Sequence, residues 1–367
     1  MRLIQTPSLA NTSILIIEQD AKEQNDRTWC FWEKEEGFFE NIVHHRWNEL
    51  LFHSSTQTIP LQIQPYQYKM IRGKDFYQYC KQQLQNHQQV TWLEASVTDV
   101  KMNNNQATVY TDTEVFTANY VFNSILFPAS KKAFDASPAY KLLQHFKGWV
   151  IEAPTPTFNP NQAYFMDFRV SQNMGTTFVY VLPISETKAL VEYTFFNQQL
   201  LEQEQYDALL QNYLQQFWKL ESYTIIETEF GIIPMTNFRF PTHQQSVIHI
   251  GTAGGFTKPS SGFTFQFIQK YSAAIAEALI NNHSPVIHKS LWQQRFHWYD
   301  TTLLHVLHHQ KMSGCDVFTQ LFQKQKATTI LRFLDNETTF TEELSILSSV
   351  PTHIFLPAAI QSLFPSA

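Results

Sequence analysis

The chain has 367 residues, long for a single hydrophobic core, so two intertwined units are expected. Charged residues make up only 16% and the net charge is −6, which excludes a basic nucleic-acid footprint and broad electrostatic docking on anionic lipid. Aromatic residues reach 15%, and such a share predicts apolar surface or cavity beyond an ordinary core.

Cys30, Cys80 and Cys315 are widely spaced and odd in number, which fits free thiols in a reducing compartment. No apolar run reaches the roughly 18 residues of a spanning helix. The start lacks the basic and apolar segments of a signal peptide, so a cytoplasmic protein is expected.

Residues 13–17 (SILII) read as a buried strand ending at Glu18. In dinucleotide folds an acidic residue at such a place bonds ribose hydroxyls; a solvated strand-end charge is the plainer alternative. Residues 25–32 (NDRTWCFW) carry three aromatic rings and Arg27, the composition of a site wall as well as of a core. Helical spacing of Phe76, Tyr77, Cys80 and Leu84 predicts a helix over 70–84, with Arg72 at its start. Strands follow at 90–93, 107–111 and 120–123.

From about residue 128 the composition changes. Residues 175–183 (GTTFVYVLP) and 188–196 (KALVEYTFF) predict an antiparallel pair in a separate sheet, followed by an amphipathic helix over 200–218. Residues 230–235 (FGIIPM) return to the first unit. A short strand over 246–250 then leads into IGTAGGFTKPSSGFTF and a helix over 266–280. Beyond 280 the chain is mainly helical. Its apolar stretch 354–365 (IFLPAAIQSLFP) suits a membrane surface or the core. The expected division is 1–127 with 231–280, then 128–230, then 281–367. The first part should be an α/β cofactor domain and the second an antiparallel substrate sheet (an α+β insert).

Gly251, Gly254, Gly255 and Gly262 are four of only ten glycines, within twelve positions. A strand, a glycine loop and a helix start together present free N–H groups to an anion, although a tight packing turn has the same composition. Glu192 lies in an apolar strand where Leu190, Glu192 and Thr194 share one face. Against an apolar cavity its carboxyl would lose hydration and hold its proton, as a general acid requires; against solvent it would be an ordinary charge. Asp167 and Arg169 (MDFR) share a face as an ion pair or as site groups, and Glu229 is a candidate second carboxyl. His305, His308 and His309 have helical metal-ligand spacing without a carboxylate companion, so no metal is expected.

The extended glycine motif resembles the second flavin-binding motif of the aromatic-hydroxylase fold, and its wording resembles the lycopene β-cyclase family. NDRTWCFW, IRGKDFY, QHFKGW, MDFR, FVYVLP, ALVEYTFF, GIIPM, TKPSSGFTF, RFHWYD and LRFLD stand in the family's order. The resemblance implies an FAD-binding Rossmann-like domain of the aromatic-hydroxylase and geranylgeranyl-reductase type, an antiparallel substrate sheet and a helical C-terminus. It implies non-redox cyclisation of lycopene to γ-carotene and β-carotene, reduced FAD, and NAD(P)H as reductant. The implied partners are linear carotenoids, a membrane surface met peripherally and other carotenoid-pathway enzymes. It implies Glu192, Asp167 and Arg169 as catalytic residues. Implied cofactor contacts are Glu18, Arg27, Arg72, Val97, Gly251, Thr252, Ala253, Gly254, Pro259, Ser261 and Gly262. The chain departs from the pattern in lacking G-x-G-x-x-G. It resembles a member without the first strand, glycine loop and most of the first helix, so the N–H cradle for the pyrophosphate is missing. A flavin monooxygenase or prenyl reductase of the same fold, and a non-catalytic carotenoid- or lipid-binding remnant, stay open as alternatives.

Overall fold

The computed structural model describes residues 1–9, 11–104, 106–288 and 290–363. Its largest element is a seven-stranded sheet. Across the sheet the order is Thr224–Met235, Leu142–Glu152, Lys188–Asn197, Thr176–Pro183, Gln162–Asp167, Glu49–His53 and Thr58–Gln62. Neighbours run antiparallel except Gln162–Asp167 with Glu49–His53, which are parallel. The expected turn between Thr176–Pro183 and Lys188–Asn197 is present. The sheet also takes in two strands from residues 49–62, which the sequence division left in the first unit. Leu50, Phe52 and Leu61 are buried there against Phe165 and Phe168, and that apolar contact overrides position along the chain.

Alternation sorts the two faces as the sequence predicts. Val191, Tyr193 and Phe195 pack under the helix Gln203–Trp218, whose Tyr206, Leu210, Tyr213 and Leu214 are buried against them. A capping box between Glu202 and Gln205 starts this helix. On the opposite face Leu190, Phe178, Phe196, Leu142 and Met235 belong to the larger core that joins the sheet to the rest of the chain.

The remaining strands form short sheets of two or three strands. Ile14–Glu18 pairs in parallel with Val90–Glu94, and Val121–Asn123 pairs in parallel with Val247–His249. The helix Gly73–Gln85 begins three residues later than its apolar spacing indicates, because Gln67–Arg72 is a strand paired with Thr28–Glu33. Residues 1–9 form turns and a 3-10 segment, Pro7–Leu9. Phe265–Ile280 is the helix after the glycine loop. Five helices follow, Leu291–His308, Gly314–Lys324, Ala327–Leu334, Phe340–Leu347 and Thr352–Leu363. Phe364 and Pro365 of the apolar end lie outside the described residues. Among the described residues no helix is long and apolar enough to cross a membrane.

Leu210 is fully buried where the helix Gln203–Trp218 meets the sheet. Leu210→Ala is expected to lower stability by about 2–5 kcal/mol, read as a lower midpoint of urea unfolding.

Candidate active site

The core-facing side of the large sheet carries a row of four residues directly opposite one another, Glu229, Gly148, Glu192 and Tyr180. The two glutamates sit on strands either side of Gly148, so their backbones are about 10 Å apart at the usual strand spacing. Gly148 has no side chain, and the two carboxyls come together over it, close enough for each to bear on the other's titration. A Cβ there would come within 3.0 Å of Glu229 Cγ and 3.1 Å of Leu190 Cδ1. Gly148 was not singled out in the sequence. Its signal was a glycine inside the strand LLQHFKGWVIE, where glycine weakens pairing and marks a close approach.

Around the pair stand polar groups without opposite charge. Thr194 Oγ1 donates to Glu192 Oε1 at 2.9 Å, and Thr28 Oγ1 donates to Glu229 Oε2 at 2.8 Å. Loss of hydration, then the neighbouring Glu229, raises Glu192 well above the ordinary carboxyl range. Glu229 is also raised by burial, though Thr28 and Glu192 pull against the rise. Glu192 keeps some accessible surface although protein surrounds it.

The strand Thr28–Glu33 (TWCFWE) supplies one wall. Thr28 touches Glu229, and Cys30 lies close enough to Glu192 and Glu229 for their charge to raise its thiol, after burial. Trp32 meets Phe263 edge-on at 4.8 Å, and Phe165 lies 5.5 Å from Tyr68 and 6.1 Å from Tyr180. Trp29 and Phe31 point the other way, and Phe31 stacks on Phe265 at 4.5 Å. The aromatic stretch thus joins the carboxyls to the helix that follows the glycine loop.

That loop abuts the same sheet face. A Cβ on Gly262 would lie 2.4 Å from Gln144 Oε1, and Gln144 is four residues from Gly148 on one strand, about 13 Å away. Gly251, Gly255 and Gly262 have φ of +57°, +68° and +73°, the left-handed region that glycine enters at least cost. The amides of Gly251, Thr252 and Ala253 bond no described residue, and Ser261 Oγ is buried without a partner. Open amides and an orphaned hydroxyl fit the binding of a flavin's polar edge here. A cavity of about 700 Å³ opens on Thr252, Gly254, Lys258 and Pro259, beside the loop rather than at the carboxyls. Buried Lys258 ties the loop to Asp300 at 2.8 Å and to Asn336.

The other expected cofactor residues form a separate group. Glu18 ends its strand, and the Ala95 amide, two residues before Val97, donates to the Glu18 carbonyl. Arg27 is held by Asp26, and Arg72 donates to Glu227 at 2.7 Å. The Arg27 carbonyl accepts from the amide of Gly73, so both arginines flank the start of Gly73–Gln85. No hydrogen bond or ion pair among the described residues joins this group to 251–262.

Asp167 and Arg169 are not brought to Glu192. They form an ion pair on the opposite face, where Tyr213 of the helix Gln203–Trp218 donates to Asp167 at 2.6 Å and Phe217 lies under the guanidinium. His305 is engaged at both ring nitrogens, by Tyr140 at 2.6 Å and Lys311 at 2.7 Å. Among the described residues no cluster of three His, Cys, Asp or Glu side chains could hold a metal.

The sequence profile of the lycopene cyclase protein family matches residues 3–359. The chain belongs to the lycopene cyclase family. This cyclase-family chain is 25% identical to the lycopene beta-cyclase of Pantoea ananas, over 95% of its own length and 91% of the relative's. Its fold resembles a geranylgeranyl bacteriochlorophyll reductase-like protein of Thermoplasma acidophilum, with a TM-score of 0.64 and 13% identity over 97% of this chain and 93% of that one. It also resembles a flavoprotein/dehydrogenase of Cytophaga hutchinsonii, with a TM-score of 0.61 and 11% identity over 99% and 95%. The cyclase-family chain therefore has the mixed α/β fold of these proteins, with a large sheet and C-terminal helices.

One pH effect follows from the wall. Asp335 accepts from Trp32 Nε1 at 2.6 Å, and burial raises its carboxyl from 3.8 to about 6. The folded state then binds the proton more tightly than the unfolded state. Its contribution to stability is present below about pH 4 and falls by roughly 3 kcal/mol as the pH rises through 6. Asp335→Asn keeps an acceptor for Trp32 and should flatten that part of the stability curve in urea unfolding at pH 4 and pH 7.

Proposed function

We propose that the chain is a lycopene β-cyclase, an isomerase that closes the linear ends of lycopene into β-rings without net redox change. The observation that carries the reading is the row Glu229–Gly148–Glu192–Tyr180, a buried pair of carboxyls among aromatic rings, with Glu192 raised toward its neutral form by loss of hydration. Protonating an alkene needs an acid that stays neutral until the substrate arrives, and exclusion from water keeps Glu192 in that state. The Glu192 O–H bond breaks as a C–H bond forms on the end group. The resulting carbocation takes the electron pair of a second double bond and closes the ring. Loss of a ring proton to the carboxylate forms the ring double bond and restores the acid.

The chain's own residues guide these steps. Tyr180, Tyr68, Trp32 and Phe165 offer π faces toward a cation and keep water from capturing it. Thr194 holds the orientation of Glu192. Asp167 and Arg169, on the far face, anchor the helix Gln203–Trp218 in this reading and handle no proton. Gly251, Thr252, Ala253, Gly254, Pro259, Ser261 and Gly262 would hold FAD, with Glu18, Arg27, Arg72 and Val97 toward its nucleotide. Bound and reduced at the expense of NAD(P)H, FAD would supply negative charge to the site.

A substrate insoluble in water arrives from a bilayer, so the reading includes peripheral membrane contact on the cytoplasmic side. Phe340, Leu344 and Leu347 of one C-terminal helix, and Leu356, Ile360 and Leu363 of another, are exposed apolar side chains that support it. Replacing Leu356 and Ile360 by Ser should reduce flotation with lipid vesicles and leave the unfolding midpoint near that of the parent.

In a lycopene-producing host the chain should turn red cells yellow-orange, with products of unchanged mass. Glu192→Gln should abolish the conversion while circular dichroism stays native. Near-full activity in that variant, or products shifted in mass, would overturn the proposal.

A further inference from the structure

We infer that Glu229 is the positioning partner of Glu192: it carries the negative charge against which Glu192 keeps its proton, and Gly148 is the gap through which they meet. The inference deepens the proposed cyclisation and rests on it for its catalytic meaning. The geometry that carries it does not depend on the substrate.

Two buried carboxyls with no cation beside them among the described residues cannot both be charged at low cost. The groups facing this pair come from five strands. Thr28 and Cys30 face it from Thr28–Glu33, and Tyr68 from Gln67–Arg72. Tyr180 faces it from Thr176–Pro183, Thr194 lies on Glu192's own strand and Glu227 on Glu229's. Burial raises the Cys30 thiol and the Tyr68 and Tyr180 hydroxyls, so all three are neutral near pH 7. The nearest arginines are already engaged. Arg72 holds Glu227, which also accepts from Asn25, and Arg27 holds Asp26. The pair therefore settles its charge internally, with one proton between two carboxyls.

Their surroundings say where that proton sits. Each carboxyl accepts from one threonine, Glu229 from Thr28 and Glu192 from Thr194, while burial and the neighbouring carboxyl raise Glu192 further than burial raises Glu229. The carboxyl raised further keeps the proton, so the charge rests on Glu229 and the proton on Glu192. During turnover Glu229 stays charged. Glu192 gives its proton to carbon, and the neighbouring charge favours the proton's return from the ring.

The test reads the carboxyl itself as well as the product. Infrared spectra of the full chain with ¹³C-labelled glutamate report protonated glutamate carbonyls. The parent should keep such a band at pH 7, and Glu192→Gln should remove it. In Glu229→Gln the band should disappear at lower pH than in the parent. The alkaline limb of the cyclisation profile should move to lower pH with it. Gly148→Ala, whose methyl would press on Glu229 Cγ and Leu190, should shift the band in the same direction and serves if Glu229→Gln does not fold. An unchanged band in either folded variant overturns the inference even if the parent cyclises lycopene. A shifted band in a parent that does not cyclise leaves the pair standing and removes the function.

Discussion

Two acidic side chains are buried over one glycine with no cation among the described residues to neutralise them, and much of the molecule is arranged to tolerate this. Neutral hydroxyls, a thiol and aromatic rings surround the pair, while nearby positive groups are committed to other carboxylates. A single arginine free to reach the pair would draw the proton away and leave a stable ion pair, chemically inert toward an alkene. Keeping cations out is as much a part of the site as keeping the acid in.

The large sheet makes the arrangement possible. Strand alternation splits it into a structural face against Gln203–Trp218 and a face toward the interior. Asp167 and Arg169 sit on the first face, and Glu192, Glu229 and Gln144 on the second. The same strands thus separate a charge pair that fastens a helix from a charge pair suited to proton transfer.

Much of this was legible in the sequence. ALVEYTFF fixes which neighbours share a face with Glu192, because alternation is local and the strand is strongly apolar. The glycine cluster and the following helix were equally plain, since glycine is the residue that takes positive φ most readily. What was not legible depends on pairing between distant strands. Gly148 meets both glutamates only through register, and nothing in LLQHFKGWVIE names its partners. The entry of residues 49–62 into the sheet is likewise a long-range event. The side of the sheet taken by MDFR was hidden for a further reason: the pairing register shifts between Tyr164 and Asp167, and a bulge defeats simple alternation.

The ribbon Thr28–Glu33 is read on both sides at once, with Trp29 and Phe31 against Phe265 and with Thr28, Cys30 and Trp32 toward the acids. Losing or gaining one residue there would exchange the sides. Indole and phenyl rings would be thrust among the carboxyls, and the small hydroxyl and thiol would be left facing the helix. Individual side chains in this segment can drift within their size and polarity, but its length cannot. Natural variation along it should consist of replacements, with insertions and deletions confined to the turns at either end.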